Sequence, residues 1–320
     1  MGGRLQIERI RAAAERIDPV FLDSPQGPAA DLGRHLGVRL VVKDETRNPV
    51  RCFKGRGSEA LVSIHRDDRP ILCASAGNFG QAMAYSCSRR GVAITVYASV
   101  NASAIKLERM RELGAVVVEH GEDFDAAKDE ARRAAAASGA RFVEDSLDVE
   151  TVEGAGTMAL ELAGLDEDVD AILVPLGNGA MFNGIACVLR ELRPAIERIA
   201  VQARGAPAMI ESWRGGRAIE GGPVTTIADG IAVRVPVLQA LADMDGLADD
   251  GVLVSEDSIL EAMRVIYRHA GRVVEPSSAV GVAALIETPE RFAGRTVATV
   301  LCGANVSAAQ LQQWLPEAAG

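Results

Sequence analysis

The chain has 320 residues, 48% of them hydrophobic and 24% charged, with a formal net charge of -10 and a pI near 5.1. That balance belongs to a globular protein long enough for a large core, and its acidity argues against nucleic acid or an anionic membrane surface as main partner. No apolar run reaches bilayer length and the N-terminal stretch MGGRLQIERIRAAAERID is charged throughout, so neither a membrane span nor a signal peptide is expected.

In chain order, Asn48-Pro49 stops a first strand, and Lys54 begins a helix that runs toward His65. Ile71 to Ala74 reads as a buried strand, SAGNFG as a turn, and QAMAYSCSRRG as a helix ending at Gly91. AITVYAS (strand) and SAIKLERMRELG (helix) follow, then AVVVE and RFVED as strands flanking an Ala-rich helix from Asp123 to Ala137. In the second half AILVPLG, IAVQA and TVATVLCG read as strands, and FNGIACVLREL, SEDSILEAMRVIYRHA and SSAVGVAALIE as helices. The Gly-rich stretch from Gly215 to Val224 lacks periodicity and reads as a surface loop. Strand–helix alternation of this kind predicts an α/β fold of two doubly wound lobes with mostly parallel sheets. The smaller lobe, residues 70–146, is inserted into the larger one, residues 1–69 and 147–320. The five cysteines (Cys52, Cys73, Cys87, Cys187 and Cys302) show neither CxxC spacing nor a dense disulfide framework, which suits a reducing cytoplasm.

Ligands of open α/β sheets bind beyond the carboxyl ends of strands, and that rule selects four segments. At FKGRG, a helix N-terminus and the nearby Arg51 and Arg56 disfavour a protonated amine, making Lys54 a candidate nucleophile. Position alone also allows a solvated surface lysine. In SAGNFGQ, Ser75, Ala76 and Gly77 let backbone N–H groups approach a carboxylate, and Asn78 adds an amide that donates and accepts. In PLGNGAM, successive N–H groups of Gly177, Asn178, Gly179, Ala180 and Met181 suit a phosphate, without GxGxxG spacing or a P-loop lysine. Both segments also read as ordinary strand-to-helix turns. In VLCGAN, Cys302 sits at a strand tip, where a buried cysteine is commonly just a small hydrophobe. The four histidines lie far apart, with no HExxH pair, and there is no GxSxG elbow.

Taken in order, KDE…NP…FKGRG, SAGNFGQ, GAGT at 154–157, PLGNGAM, TIADGIAV at 226–233, EPSSA at 275–279 and LCGAN resemble fold-type II pyridoxal-phosphate (PLP) enzymes. The branch they resemble is that of threonine/serine dehydratases and serine racemases, from about Val20 to Val306. The resemblance implies pyridoxal 5'-phosphate as cofactor, the large lobe as its binding domain and the small lobe as mobile. It implies Lys54 as the Schiff-base lysine with Phe53 beside the ring, and Asn78 on the ring hydroxyl. Ser75, Ala76, Gly77 and Asn78 would bind substrate, residues 177–181 would cradle the phosphate, and Gly230 would line the pocket. Cys302 would face the pyridine nitrogen, with Glu275 near the same edge or simply starting a helix. A neutral thiol there makes the ring a weaker electron sink and favours β-elimination or β-replacement over transamination. Lys54 would take the α-proton and a β-hydroxyl would leave, giving a 2-oxo acid and ammonia. A homodimer acting on a small amino acid is the family expectation.

The departures also carry information. Ala76 stands where racemases of this group carry an acid/base serine, so racemisation should be weak. Phe79 stands where the dehydratase motif has His, and GNGA replaces a fuller glycine run. Gln202 and Ala208 occupy the positions of metal-binding carboxylates, so no metal is expected there. VEDSLDVE, which borders the substrate pocket, differs from the dehydratase pattern and leaves the substrate open. The chain ends soon after LCGAN, which leaves no room for a C-terminal regulatory domain responding to isoleucine. A β- or γ-replacement enzyme like cysteine synthase or threonine synthase, or a catalytically silent PLP-binding protein, fits the same motifs.

Overall fold

The computed structural model describes residues 4–318. Its strands are β1 (Gln26–Pro28), β2 (Arg39–Asp44), β3 (Ile71–Ala74), β4 (Ile94–Ala98), β5 (Val116–Glu119), β6 (Arg141–Val143), β7 (Ala171–Pro175), β8 (Glu197–Ala203), β9 (Asp250–Val254) and β10 (Thr296–Leu301). They form a six-stranded sheet in the order β1-β2-β10-β7-β8-β9 and a four-stranded sheet in the order β5-β4-β3-β6. Every pairing is parallel except that of β1 with β2.

Parallel sheets are covered on both faces, and the sequence supplies apolar residues for both. In the large sheet Ile172, Val174, Ala298 and Val300 face the helices Val149–Leu162 and Ala180–Leu192. Their neighbours Ala171, Leu173, Val297 and Leu301 face the helices Glu256–Ala270 and Pro276–Glu287. In the small sheet Ile71, Cys73 and Val96 pack with the helices Asn78–Arg89 and Ala104–Glu112, while Leu72, Ala74 and Tyr97 pack on Ala131 and Ala135 of the helix Phe124–Ser138.

Three helices meet through glycines. A Cβ on Gly154 would lie 2.4 Å from the Arg56 carbonyl oxygen, one on Gly57 2.6 Å from that of Thr151, and one on Gly184 2.3 Å from that of Val152. The GAGT stretch therefore fixes the helix Lys54–Ser63 against the helix Val149–Leu162, and that helix against Ala180–Leu192.

Three local readings differ. The helix after β3 begins at Asn78, inside the segment expected to be a turn, because Ser75 Oγ accepts from the N–H groups of Gly77 (3.2 Å) and Gly80 (3.0 Å) and organises its first turn. RFVED stops being a strand at Val143, and Ser146 adopts a left-handed φ of 65°. The edge strand β9 went unread, its DGVLV being short and set among acidic turn residues.

All five cysteines are free and buried. Reaction with an aromatic disulfide reagent should therefore label less than one thiol per native chain and all five once the chain is unfolded, read by absorbance of the released thiolate.

Candidate active site

The loop between β2 and Lys54 is organised by Asn48. Its Nδ2 donates to the carbonyls of Glu45 and Cys52, both at 2.9 Å, and its Oδ1 accepts from Val50 N at 3.1 Å. The far end of the loop is tied to the tip of β10, where Phe53 N donates to the Cys302 carbonyl at 2.9 Å. Lys54 thus starts its helix beside Cys302, with Nζ 4.5 Å from the centroid of the Phe53 ring. The expected electrostatic neighbours are elsewhere. Arg56 turns away to pair with Glu45 and Glu161, and Arg51 is exposed. The group against Lys54 Nζ is the carboxylate of Asp145.

Asp145 was not singled out as a site residue, although it lies in the stretch that departs from the dehydratase pattern. Its Oδ2 accepts from Lys54 Nζ and, at 2.7 Å, from Asn178 Nδ2. The Asn178 side chain therefore reaches toward the lysine, while its backbone belongs to the loop before the helix Ala180–Leu192. That loop requires glycine: Gly179 has φ 98°, and a Cβ on Gly177 would stand 3.1 Å from the Gly230 carbonyl oxygen. Helix N-terminal N–H groups lack intrahelical partners and carry partial positive charge. Met181 contributes backbone alone, since its side chain is packed in the core.

At the end of β3, Ser75 Oγ accepts from the Gly77 and Gly80 amides and Ser75 N donates to the Tyr97 carbonyl (2.9 Å), so the N–H groups of this loop left to face a ligand are those of Ala76 and Asn78. Asn78 Nδ2 donates to both carboxylate oxygens of Glu275 (2.9 Å each), and its Oδ1 accepts from Asn305 Nδ2 at 2.8 Å. Glu275 stands at the N-cap of the helix Pro276–Glu287, but its side chain makes no cap bond. It receives Asn78 and the Asn305 N–H (2.7 Å) instead. Burial raises its pKa, against the pull of those donors. The Cys302 thiol lies 3.3 Å from Ser278 Oγ, and burial pushes its pKa up to about 12.

One cavity of about 530 Å³ joins these pieces. Phe53, Lys54, residues 75–78, residues 177–181, Gly230 and Cys302 all line it, together with Asp145, Glu275 and Ser277. Two ion pairs cross its mouth between the sheets, Lys106–Asp229 and Arg234–Asp125, each at 2.6 Å.

A PLP molecule needs a primary amine, a phosphate site and contacts for its ring. The cavity offers the Lys54 amine and a cradle at 177–181 that side chains would fill. It also offers Ser277 Oγ, which belongs to a residue 2% exposed, has no partner among the described residues and stands where a Cβ on Gly230 would come within 2.6 Å. The residues present fit the group.

The relatives agree with this fit. The family model for pyridoxal-phosphate dependent enzymes matches residues 18–303. The chain is 32% identical over 307 residues to the L-threonine ammonia-lyase of Thermotoga maritima, covering 94% of this chain and 76% of that protein. It is 31% identical over 299 residues to the biosynthetic L-threonine dehydratase of Pasteurella multocida, 92% of this chain but 58% of that longer protein. The solved structure of processed threonine deaminase isoform 2 from Solanum lycopersicum superposes with a TM-score of 0.89 at 27% identity, covering 98% of this chain and 94% of that one. With a family match across most of its length and a cavity that suits the cofactor, the chain belongs to the pyridoxal-phosphate dependent enzymes.

Proposed function

We propose that this protein is a PLP-dependent ammonia-lyase that converts a small β-hydroxy amino acid, such as L-threonine or L-serine, to a 2-oxo acid and ammonia by β-elimination. The observation that supports this reading is the placement of the Lys54 amine in one cavity with two strand-to-helix loops, residues 75–78 and residues 177–181. When bound, PLP draws electrons away from the α-carbon of an amino acid and so acidifies its proton. Backbone N–H groups of 177–181 would hold the phosphate, and those of Ala76 and Asn78 would receive the substrate α-carboxylate. Lys54 Nζ would hold the cofactor and, once the substrate amine has displaced it, would take the α-proton. Asn78, fixed by Glu275 and Asn305, would contact the ring edge, with Phe53 beside the ring and Gly230 in the wall of the pocket. Cys302, neutral because its thiol is buried, would meet the ring nitrogen without supplying a counter-charge, which favours prompt loss of a β-substituent. The family match and the dehydratase and ammonia-lyase names of the relatives support the same reaction.

Residues 70–146 act in this reading as a mobile lobe against residues 1–69 and 147–320. The protein works as a cytoplasmic homodimer, a setting that suits five free cysteines. Among the described residues no helix is long and apolar enough to cross a membrane.

The test is an absorption spectrum of the purified protein with PLP, before and after L-threonine or L-serine, with 2-oxo acid assayed in each. Oxo acid from either substrate without an added nucleophile is the expected result. A band that shifts with no oxo acid would turn the assignment to replacement chemistry or a silent binder.

A further inference from the structure

The turn after β6 is built to hold a carboxylate. Ser146, in its left-handed conformation, donates its N–H to Thr151 Oγ1 (3.0 Å), and its carbonyl accepts from the Arg4 guanidinium (2.9 Å). Strained backbone of this kind persists where neighbours fix it. The fixed turn presents Asp145, whose side chain is 12% exposed. One oxygen, Oδ2, takes both Lys54 and Asn178. The other, Oδ1, is buried and has no partner among the described residues. A buried acceptor without a donor is costly. Oδ1 is closed to the cavity, so a ligand in the cavity would meet Asp145 on the Oδ2 side, where Lys54 and Asn178 bind.

Charge narrows the identity of such a ligand. Three other acids of the wall have cations of their own: Asp125 has Arg234, Asp229 has Lys106, and Glu144 has Lys128. Asp123 is engaged in capping a helix, and Glu275 is held by Asn78 and the Asn305 N–H. Asp145 has Lys54, whose work requires it to lose its charge, since an amine accepts a proton only when neutral. At that stage Asp145 is a buried carboxylate with an amide for company, the arrangement that costs most inside a protein. A ligand that brings a cation to Oδ2 in place of Lys54 restores neutrality, and one that brings a second carboxylate worsens the imbalance.

We propose that Asp145 selects the substrate side chain, and that it selects a small β-hydroxy amino acid bearing an ammonium group on its γ-carbon. The proposal rests on the reading of Lys54 as the cofactor-bearing lysine, and it narrows the substrate class that reading leaves open.

The test is equilibrium binding to the PLP-loaded enzyme, read as the shift of the cofactor absorption band, with three ligands of similar length that cannot lose a β-substituent. They are L-2,4-diaminobutyrate (cationic), L-homoserine (neutral) and L-aspartate (anionic). Diaminobutyrate is expected to bind at least about tenfold more tightly than homoserine, with aspartate weakest. In Asp145→Asn, which keeps the acceptor for Asn178, the gap between the first two should fall to about twofold or less. Asp145→Ser serves as a second truncation, and a thermal melt confirms that each variant is folded. Homoserine binding as tightly as diaminobutyrate, or a gap that survives both substitutions, would overturn the proposal. The expected ranking in an enzyme that forms no 2-oxo acid would support the proposal while removing the lyase reading.

Discussion

Lys54→Ala should leave a folded protein without the visible band of covalently held cofactor, and should lower 2-oxo acid formation by about a thousandfold or more. The argument is geometric. Lys54 is 14% exposed, lies at the wall of the cavity, follows the residue bonded to the Cys302 carbonyl, and shares the Asp145 carboxylate with Asn178 of the loop that would hold a phosphate. Alanine starts a helix well, and the rest of the helix Lys54–Ser63 is held by Gly154 and by Arg56, so the fold should survive. The substitution does strand Asp145, so a modest fall in melting temperature should accompany it. The measurement is an absorption spectrum with PLP alongside an oxo-acid assay on L-threonine and L-serine. A band retained in the variant would mean that Lys106 or Lys128, the other amines on the cavity wall, carries the cofactor.

The second large effect is expected behind the site, at Arg56→Met. The Arg56 guanidinium is fully buried and bidentate to Glu45, with Nε to Oε2 at 2.9 Å and a terminal nitrogen to Oε1 at 2.8 Å. It also reaches Glu161 at 2.5 Å and Thr157 Oγ1 at 3.0 Å, and Lys43 closes the group by pairing with Glu161. Two cations thus balance two carboxylates, with Glu45, Arg56 and Lys43 out of contact with water and Glu161 14% exposed. Removing Arg56 leaves Glu45 buried without its counter-charge, which should cost about 3–5 kcal/mol. The denaturant midpoint of unfolding should fall with little change in slope. Pairing the change with Glu45→Leu should recover much of the loss, because replacing both members of a buried pair is far less costly than replacing one. A variant as stable as the parent would show that the cluster is hydrated.

Much of this arrangement was legible in the residues. Strands such as Ile71–Ala74 and Ala171–Pro175 are short apolar runs closed by Gly, Ser or Asn, and that local pattern identifies a buried parallel strand. Lys54, Asn78 and the 177–181 loop sit at such boundaries, but position alone left each an ordinary alternative; the run of motifs in family order marked them as candidates, and they line one cavity. The helix start at Asn78 was misplaced because Asn and Gly read as turn formers until the Ser75 hydroxyl is seen capping the turn. Asp145 was hidden for a different reason. Its meeting with Lys54 joins residues 91 positions apart, and it depends on β6 pairing with β3 and on a left-handed serine that no local rule predicts. The bond between Asn78 and Glu275 spans 197 positions and was equally out of reach. The inference from nearby arginines failed because Arg56 pairs on the far side of its helix, a matter of tertiary packing.

The glycine contacts among the three helices bear on how this protein can be re-engineered. Gly57, Gly154 and Gly184 lie outside the cavity lining, yet they set where the lysine stands relative to the loop of residues 177–181. A library that diversifies residues 123–145 and 224–235 would remodel the mouth and the Asp145 turn while sparing these backbone contacts. One that admits even alanine at Gly154 or Gly184 would displace the lysine without touching a single ligand contact, and inactive clones from it would report on spacing rather than on recognition.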